Sequence, residues 1–218
     1  MSESSMSTTG ARDVANRFAQ FSRLTVRQRK RWTEILLNFE MKNTYDVHDE
    51  TQAAVLRVQE LGAGAASLLR RLLLGPLRPF EAEVVDLATG QPLFILRRYF
   101  RFIFHRLEVR SVDGQRLGAI QRRWSWIRRI YDIEGPDGGV LAELFGPFLR
   151  PWTFHINVTG QGEVGLIQKR WSGFGKELFT DADNFGVDVT KISDPNLKAL
   201  SFAATVLIDV VHFERSKG

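Results

Sequence analysis

Glycine-bearing turns recur at a fixed spacing along the middle of the chain, and they constrain its fold more than any other feature. The segments DLATG, SVDG, GPDG and VTGQG end at Gly90, Gly114, Gly138 and Gly162, so successive turns are 24 residues apart. A repeat of this length marks a recurring supersecondary unit, and it accommodates two short strands with their connections. The spacing therefore predicts a continuous antiparallel meander of hairpins.

A second, longer repeat in the sequence supports a sheet that consists of two similar halves. QRRWS at Gln121 to Ser125 returns as QKRWS at Gln168 to Ser172, a shift of 47 residues and close to two of the turn periods. A long meander of this kind can close on itself, and closure removes its exposed strand edges. We therefore expect a closed barrel.

The first forty residues differ in pattern from the rest of the chain. Val14, Phe18 and Phe21 have helical spacing. A basic cluster follows, formed by Arg27, Arg29, Lys30 and Arg31. The pattern predicts a polar tail and a basic helical arm over residues 1–40, followed by a β-barrel domain over residues 41–218. The basic cluster is either a solvated helix face or a surface for anionic lipid or another polyanion.

The segment ALSFAATVLIDVVHF, residues 199–213, is the most apolar part of the chain and predicts a helix. Its 15 residues make about 22 Å of helix, whereas crossing a bilayer takes roughly 20 residues. A polar stripe runs along it, made of Ser201, Thr205, Asp209 and His212. A lipid-facing helix would leave Asp209 unpaired, so the pattern favours a central helix buried within protein.

The segment FTDADNFGVDVTKISD, residues 179–194, contains candidate cation ligands. Asp181 and Asp183 fit the first and third positions of a helix-loop-helix calcium loop, but Phe185 and Ile192 occupy two later ligand positions and offer no side-chain oxygen. Phe185 also begins an apolar and polar alternation that is typical of a half-buried strand. The segment is either an acidic turn that enters a strand or a weak or shared cation site at Asp181 and Asp183.

Composition limits the remaining functions. The chain has 30 Lys and Arg against 25 Asp and Glu, a net charge of +5 that favours an anionic partner. It has no cysteine, and its four histidines are dispersed. Without a nucleophile elbow or a His-Glu-x-x-His helix, we expect no covalent catalysis. No nucleic-acid reading motif occurs and the aromatic residues fall in expected core strands, which disfavours nucleic acid as a partner.

Several segments resemble the phospholipid scramblase family and its tubby-like relatives. They are RWTEILLNFEMKNTYDVHDE, LRPFEAEVVD, GPFLRPWTFHINV, GLIQKRWSG, KELFTDADNFGV and VLIDVVHFE. The resemblance implies a mainly β fold, a closed twelve-stranded antiparallel tubby-like barrel around a buried C-terminal hydrophobic helix. We expect the N-terminal helical arm to precede this barrel.

The resemblance also implies a site and a cofactor. The family's calcium segment carries over to Asp181, Asp183, Asp188 and Asp194, so we expect either no cofactor or weakly bound calcium. The sequence departs from the family pattern at VTKISD, where Lys191 and Ile192 stand in or beside positions expected to be acidic.

Two functions are consistent with these features. A scramblase-like protein would bind phospholipid or redistribute it across a bilayer without covalent chemistry, whereas a soluble tubby-like module would dock anionic headgroups or a protein partner. In both cases we expect an anionic phospholipid membrane as partner. The polar start of the chain favours the cytoplasm, with peripheral attachment to the inner face of the membrane.

Candidate lipid-binding residues are the N-terminal basic cluster and three basic pairs at expected strand ends. The pairs are Arg97 and Arg98, Arg122 and Arg123, and Lys169 and Arg170. Trp124 and Trp171, which follow two of these pairs, suit a membrane interface. The alternative is that the pairs are simply repeated, solvated strand ends.

Overall fold

The computed structural model describes residues 7–28, 44–61, 79–99, 105–150, 152–169 and 184–213. These residues form a barrel of twelve strands and two helices. The strands are β1 (Arg23–Gln28), β2 (Thr44–His48), β3 (Ala54–Glu60), β4 (Phe80–Asp86), β5 (Pro92–Arg98), β6 (Arg106–Ser111), β7 (Arg116–Arg122), β8 (Arg129–Glu134), β9 (Val140–Gly146), β10 (Thr153–Val158), β11 (Gly162–Lys169) and β12 (Asn184–Asp188). The helices are α1 (Ser7–Ala19) and α2 (Pro195–Phe213).

The barrel is closed, as the sequence predicts. Each strand pairs antiparallel with the next along the chain, and β1 completes the circle by pairing with β12. Side chains alternate between the inside and the outside, so that Ala82 and Val84 of β4 are fully buried while Glu83 between them is half-buried. Inward-pointing residues of this kind form one core with the two helices.

The predicted glycine turns connect the two strands of the hairpins β4–β5, β6–β7, β8–β9 and β10–β11. Gly90, Gly114, Gly138 and Gly162 have φ between 72° and 88°, a conformation that glycine adopts without a steric penalty. The register of each hairpin shifts by a bulge near its turn, which increases the local twist. The β2–β3 hairpin is a fifth example, with Gln52 at a φ of 66°.

All five hairpin turns lie at one end of the barrel, which we call the turn end. The connections β7–β8 and β9–β10 lie at the opposite end, together with the last residues of β3 and β5. We call the described residues there, Leu61, Tyr99, 123–128, 147–150 and Trp152, the loop end.

Helix α1 covers the turn end. Val14 and Phe18 are buried, and the Phe18 ring lies 5.8 Å from the rings of both Phe94 and Phe202. An ion pair of 3.1 Å joins Arg17 to Asp86, the last residue of β4. The predicted N-terminal helix is therefore present and forms part of the core.

The prediction that the helical arm extends through Arg27 is wrong. Helix α1 ends at Ala19, and Arg23–Gln28 form strand β1. Leu24 and Val26 are buried between more exposed neighbours, which is the alternation of a strand with one face in the core. The barrel therefore starts before residue 41.

Helix α2 is buried, and residues 197–210 all lie in the core. It begins four residues before its predicted start of 199, because Asp194 caps it and Pro195 suits the first helical position. The Asn196 amide donates to Asp194 Oδ1 at 2.9 Å. In the described part of the chain, neither helix has the length and hydrophobicity needed to cross a bilayer.

Candidate functional site: the loop end of the barrel

Exposed apolar side chains are concentrated at the loop end. Of the ten large hydrophobic residues that are exposed in the described part of the chain, eight lie there. They are Leu61, Tyr99, Trp124, Trp126, Ile127, Phe148, Leu149 and Trp152. The other two, Val112 and Val140, lie at the turn end. Clustered exposed apolar surface of this kind marks an interaction site more often than scattered residues do.

Backbone and side-chain hydrogen bonds fix the β7–β8 connection. The Arg123 amide donates to the Ile130 carbonyl at 2.8 Å, and the Arg128 amide donates to Ser125 Oγ at 3.1 Å. The rings of Trp124 and Trp126 pack edge to face at 5.0 Å. The exposed aromatic residues are therefore held on an ordered turn.

The β9–β10 connection is fixed in a similar way. The Arg150 amide donates to the Pro147 carbonyl at 3.3 Å, and the Lys169 amide donates to the Trp152 carbonyl at 2.9 Å. The Lys169 ammonium also lies 5.3 Å from the centre of the Trp152 ring, within the range of a cation–π interaction. This connection is thereby joined to the end of β11.

The described members of the predicted basic pairs lie at the loop end, because β5, β7 and β11 all end there. Arg97 pairs with Glu81 at 3.0 Å, and hydrogen bonds to Tyr99 and Glu81 raise the pKa of Arg97, which keeps it charged. Arg98 is 2% exposed and so points into the barrel. It is the one member of the described pairs that is closed off from an external ligand.

The remaining basic candidates differ in their surroundings. Arg123 pairs with Glu143 at 2.7 Å and with Asp132 at 3.4 Å, whereas Arg122 and Lys169 are half-buried. Arg27 lies on β1 and donates to Gln52 at the turn end. Arg29, Lys30, Arg31 and Arg170, together with Trp171, lie outside the described residues. Lipid binding by these residues stays a prediction.

The described members of the predicted calcium set already have protein partners. Asp188 Oδ2 pairs with Arg23 at 3.1 Å. Burial raises the pKa of Asp188, but hydrogen bonds from Thr190 and Arg23 outweigh it and lower the pKa below its usual value. Asp194 caps α2, as described above. Calcium binding by Asp188 and Asp194 stays a prediction.

Asp181 and Asp183, the other members of that set, lie outside the described residues. Within the described ranges, no group of three or more histidines and carboxylates is arranged to hold a metal ion. A calcium site at the two unplaced aspartates stays a prediction.

The polar stripe of α2 has partners inside the protein. Ser201 Oγ and Thr205 Oγ1 donate to the carbonyls one helical turn earlier, at 2.7 Å and 3.1 Å. Asp209 is 5% exposed and accepts a 2.6 Å hydrogen bond from the Tyr45 hydroxyl. The side chain of His212 lies outside the described part.

Sequence reasoning singled out Trp124 but missed the other apolar residues of the loop end. Its general assignment of aromatic residues to core strands is wrong for Trp126 and Trp152. A signal was available in RRWSWIRR and GPFLRPW, where short apolar pairs stand between arginines and prolines. Such flanks are typical of connections rather than of strand interiors.

The fold and this site define a closed antiparallel barrel with an internal helix and one exposed end that is both apolar and basic. The chain belongs to the Scramblase family, whose family model matches residues 1–215.

Curated relatives agree with that membership. The chain is 26% identical to phospholipid scramblase 2 of Bos taurus over 211 residues, which are 91% of this chain and 71% of the relative. It is 27% identical to phospholipid scramblase 1 of Homo sapiens over 209 residues, which are 90% of this chain and 64% of the relative. No solved structure matches the chain.

Proposed function

We propose that this protein binds anionic phospholipid membranes and acts in the redistribution of phospholipid there, without covalent chemistry. The observation that supports this most is the coincidence of exposed apolar side chains and basic strand ends at one end of the barrel. Aromatic residues suit the interfacial layer of a bilayer, and basic residues suit anionic headgroups. Family membership agrees, since the matched relatives are named phospholipid scramblases.

The burial of α2 limits how lipid can be moved. For α2 to enter a bilayer, the closed sheet would have to open and expose its apolar inner face. Opening would cost a large part of the roughly 5–15 kcal/mol that stabilises a typical domain. Redistribution with the barrel closed therefore takes place at its outer surface or at the loop end.

The same burial favours a second candidate function, in which the folded barrel docks anionic headgroups or a protein partner and moves no lipid. For both candidates we propose a peripheral location at the inner, cytoplasmic face of the membrane. Anionic phospholipid is concentrated in that leaflet.

Dithionite bleaching of fluorescent lipid in anionic vesicles separates the two candidates. Bleaching beyond the share of the outer leaflet, without vesicle leakage, supports redistribution. Bleaching that stops at the outer leaflet while the protein floats with the vesicles supports docking alone. A protein that fails to float with the vesicles contradicts both.

Calcium is a condition to vary in this experiment, and no step of the proposal passes through it. The matched variant is Asp181→Asn with Asp183→Asn. A calcium effect on flotation or bleaching that is present in the wild type and absent in this variant supports the predicted cation site. An identical response of both proteins contradicts it.

Alanine substitutions test which basic residues bind lipid. Each basic residue near an anionic surface contributes about 1 kcal/mol, so removing Arg29, Lys30 and Arg31 should weaken flotation at low salt by roughly a hundredfold. Removing Arg122 and Arg123 should weaken it by roughly thirtyfold. Arg12→Ala in α1 is the control, because Arg12 is exposed on the helix that covers the turn end. If substituting one set of basic residues leaves flotation unchanged, that set does not contact lipid.

A further inference from the structure

We propose that two turns of the loop end form a paired anchor that inserts apolar side chains into an anionic bilayer. The tip turns are residues 125–128 and 147–150. The proposal rests on the proposed membrane binding and goes beyond it, because it assigns the residues that enter the lipid and the orientation of the bound barrel.

A hydrogen bond closes each tip turn. The Arg128 amide donates to the Ser125 hydroxyl oxygen in one, and the Arg150 amide donates to the Pro147 carbonyl in the other. The two central positions are therefore the outermost points of the turn. They hold Trp126 and Ile127 in one turn, and Phe148 and Leu149 in the other, with 85%, 66%, 68% and 89% exposure.

The residue types at these positions are unusual for turns in water. Central turn positions commonly hold Gly, Asn, Asp, Ser or Pro, each for a conformational reason. The turns at the other end of the barrel follow that rule with Asp113-Gly114 and Asp137-Gly138. Four large apolar side chains that point away from the core contribute little to folding, and an apolar environment outside the protein accounts for them.

The sheet holds the two tip turns next to each other. Strands β8 and β9 are paired, with Arg129 opposite Gly146 at the edge of the loop end. Arg129 Nη2 also donates to the Pro147 carbonyl at 3.2 Å, which joins the base of one turn to the start of the other. The four apolar side chains are thus presented together on a rigid base.

Charge around the tip turns identifies an anionic bilayer as the occupant. Each turn ends in an exposed arginine, Arg128 or Arg150, and within the described residues neither arginine forms an ion pair with a carboxylate. Arg128 also lies 5.4 Å from the Phe145 ring centre. Apolar tips followed by exposed arginines match acyl chains below a layer of phosphates.

The exposure of the tip turns agrees with a bilayer. Their four central side chains are 66–89% exposed, so they suit a deformable apolar layer into which they can penetrate. Insertion along this direction would place the barrel with its loop end toward the lipid and its α1-covered turn end toward water.

The test uses the full chain with vesicles of phosphatidylcholine containing roughly 30% phosphatidylserine. The variants are Trp126→Ser with Ile127→Ser, and Phe148→Ser with Leu149→Ser. The matched control is Val112→Ser with Val140→Ser, which removes the exposed apolar residues of the turn end. Circular dichroism melts confirm that each variant is folded.

We expect each tip variant to lower the vesicle partition coefficient about tenfold or more in roughly 0.5 M NaCl, where headgroup attraction is screened. The control should bind as the wild type does. Lipids brominated along the acyl chain should quench the wild-type tryptophan fluorescence more than that of Trp126→Phe, since Trp126 would lie among the acyl chains.

The outcomes separate this proposal from the proposed function. Wild-type binding that persists unchanged in both tip variants, with no bromine quenching assigned to Trp126, overturns the anchor and leaves membrane binding intact. Failure of the wild type to bind vesicles at any salt concentration overturns both. Self-association of the wild type without lipid that the tip variants abolish would assign the surface to a second copy of this chain and overturn the anchor.

Discussion

The two ends of the barrel use opposite residue types at the same structural position. Among the described connections, the hairpin turns of the turn end hold glycine and small polar residues, whereas the tip turns of the loop end hold Trp126, Ile127, Phe148 and Leu149. The turn end is also covered by α1, and the tip turns are not. This difference indicates that the turn end closes the fold and that the loop end is available for recognition.

A buried lysine contributes to the closure of the turn end. Lys198, near the start of α2, is 8% exposed. Its Nζ donates to the Phe21 carbonyl at 2.7 Å and to the Ala19 carbonyl at 3.4 Å. These carbonyls lie at and just beyond the C-terminal end of α1, where a positive charge is favourable. Lys198 therefore ties the two helices together inside the barrel.

A large effect on stability, comparable to the loss of a core side chain, is expected from Gly118→Ala. A Cβ added at Gly118 would lie 2.3 Å from the Glu134 carbonyl oxygen and 2.8 Å from a methyl group of Leu200. Because the first contact is backbone, β8 and α2 would both have to shift, at a cost of about 3 kcal/mol. Thermal denaturation should show a Tm roughly 6–12 °C lower. An unchanged Tm would show that α2 is not packed closely against β7.

The next largest effect is expected from Lys198→Met. This change keeps the apolar stem and removes the donor of two carbonyls, at a cost of about 2 kcal/mol. Lys191→Met is the control, since Lys191 is exposed at the same end. A loss of Tm in the first variant alone supports the role of Lys198 in closing the turn end, whereas equal Tm values contradict it.

A smaller, pH-dependent effect is expected from Glu134→Gln. Hydrogen bonds from Arg106, at 2.9 Å and 2.6 Å, are the main cause of the lowered pKa of Glu134, and Arg116 adds to it. A lowered folded pKa stabilises the protein above the ordinary value of 4.5, and this stabilisation is lost as the pH falls through the folded pKa. We expect a difference of about 1 kcal/mol at neutral pH.

Melting curves recorded from neutral to acidic pH check this expectation. The Tm difference between wild type and Glu134→Gln should be full at neutral pH and should disappear under strongly acidic conditions. A difference that is the same at every pH would mean that the substitution acts through packing rather than through charge.

The smallest effect on stability is expected at the loop end itself. Leu149 is 89% exposed, so Leu149→Ser should change the free energy of unfolding by less than about 0.5 kcal/mol. Leu144→Ser is the matched comparison, because Leu144 is fully buried on neighbouring β9 and its loss should cost at least about 3 kcal/mol. A large loss in Leu149→Ser would show that the tip turns support the fold.

Much of the barrel could be predicted from local signals. The four regularly spaced glycines predicted the hairpins, because glycine is the residue that most readily adopts the positive φ that such turns need. The polar stripe of α2 predicted burial for a similar reason, since a lone carboxyl in an apolar helix needs a protein partner. The structure supplies that partner in Tyr45.

Features that depend on distant contacts were not accessible in this way. Lys198 and Phe21 meet across 177 residues of sequence, so α1 gave no sign that it would cover the barrel. In strand β1, apolar Leu24 and Val26 alternate with polar residues, as expected of a strand. The basic residues around them nevertheless made the segment resemble a helix face. The tip turns were missed because a short apolar pair in a β-rich sequence looks the same in a strand and in a connection until the register is known.

Helix α2 also gives the molecule a direction that can be measured. It begins at the turn end, where Asn196 donates to the Leu117 carbonyl, and by Asp209 it has reached Tyr45 near the start of β2. Because the chain has no cysteine, a single thiol label introduced by Arg12→Cys would mark one pole, and one introduced by Arg150→Cys would mark the other. Accessibility of these labels to a water-soluble quencher would then report which way the barrel faces when it is bound to a vesicle.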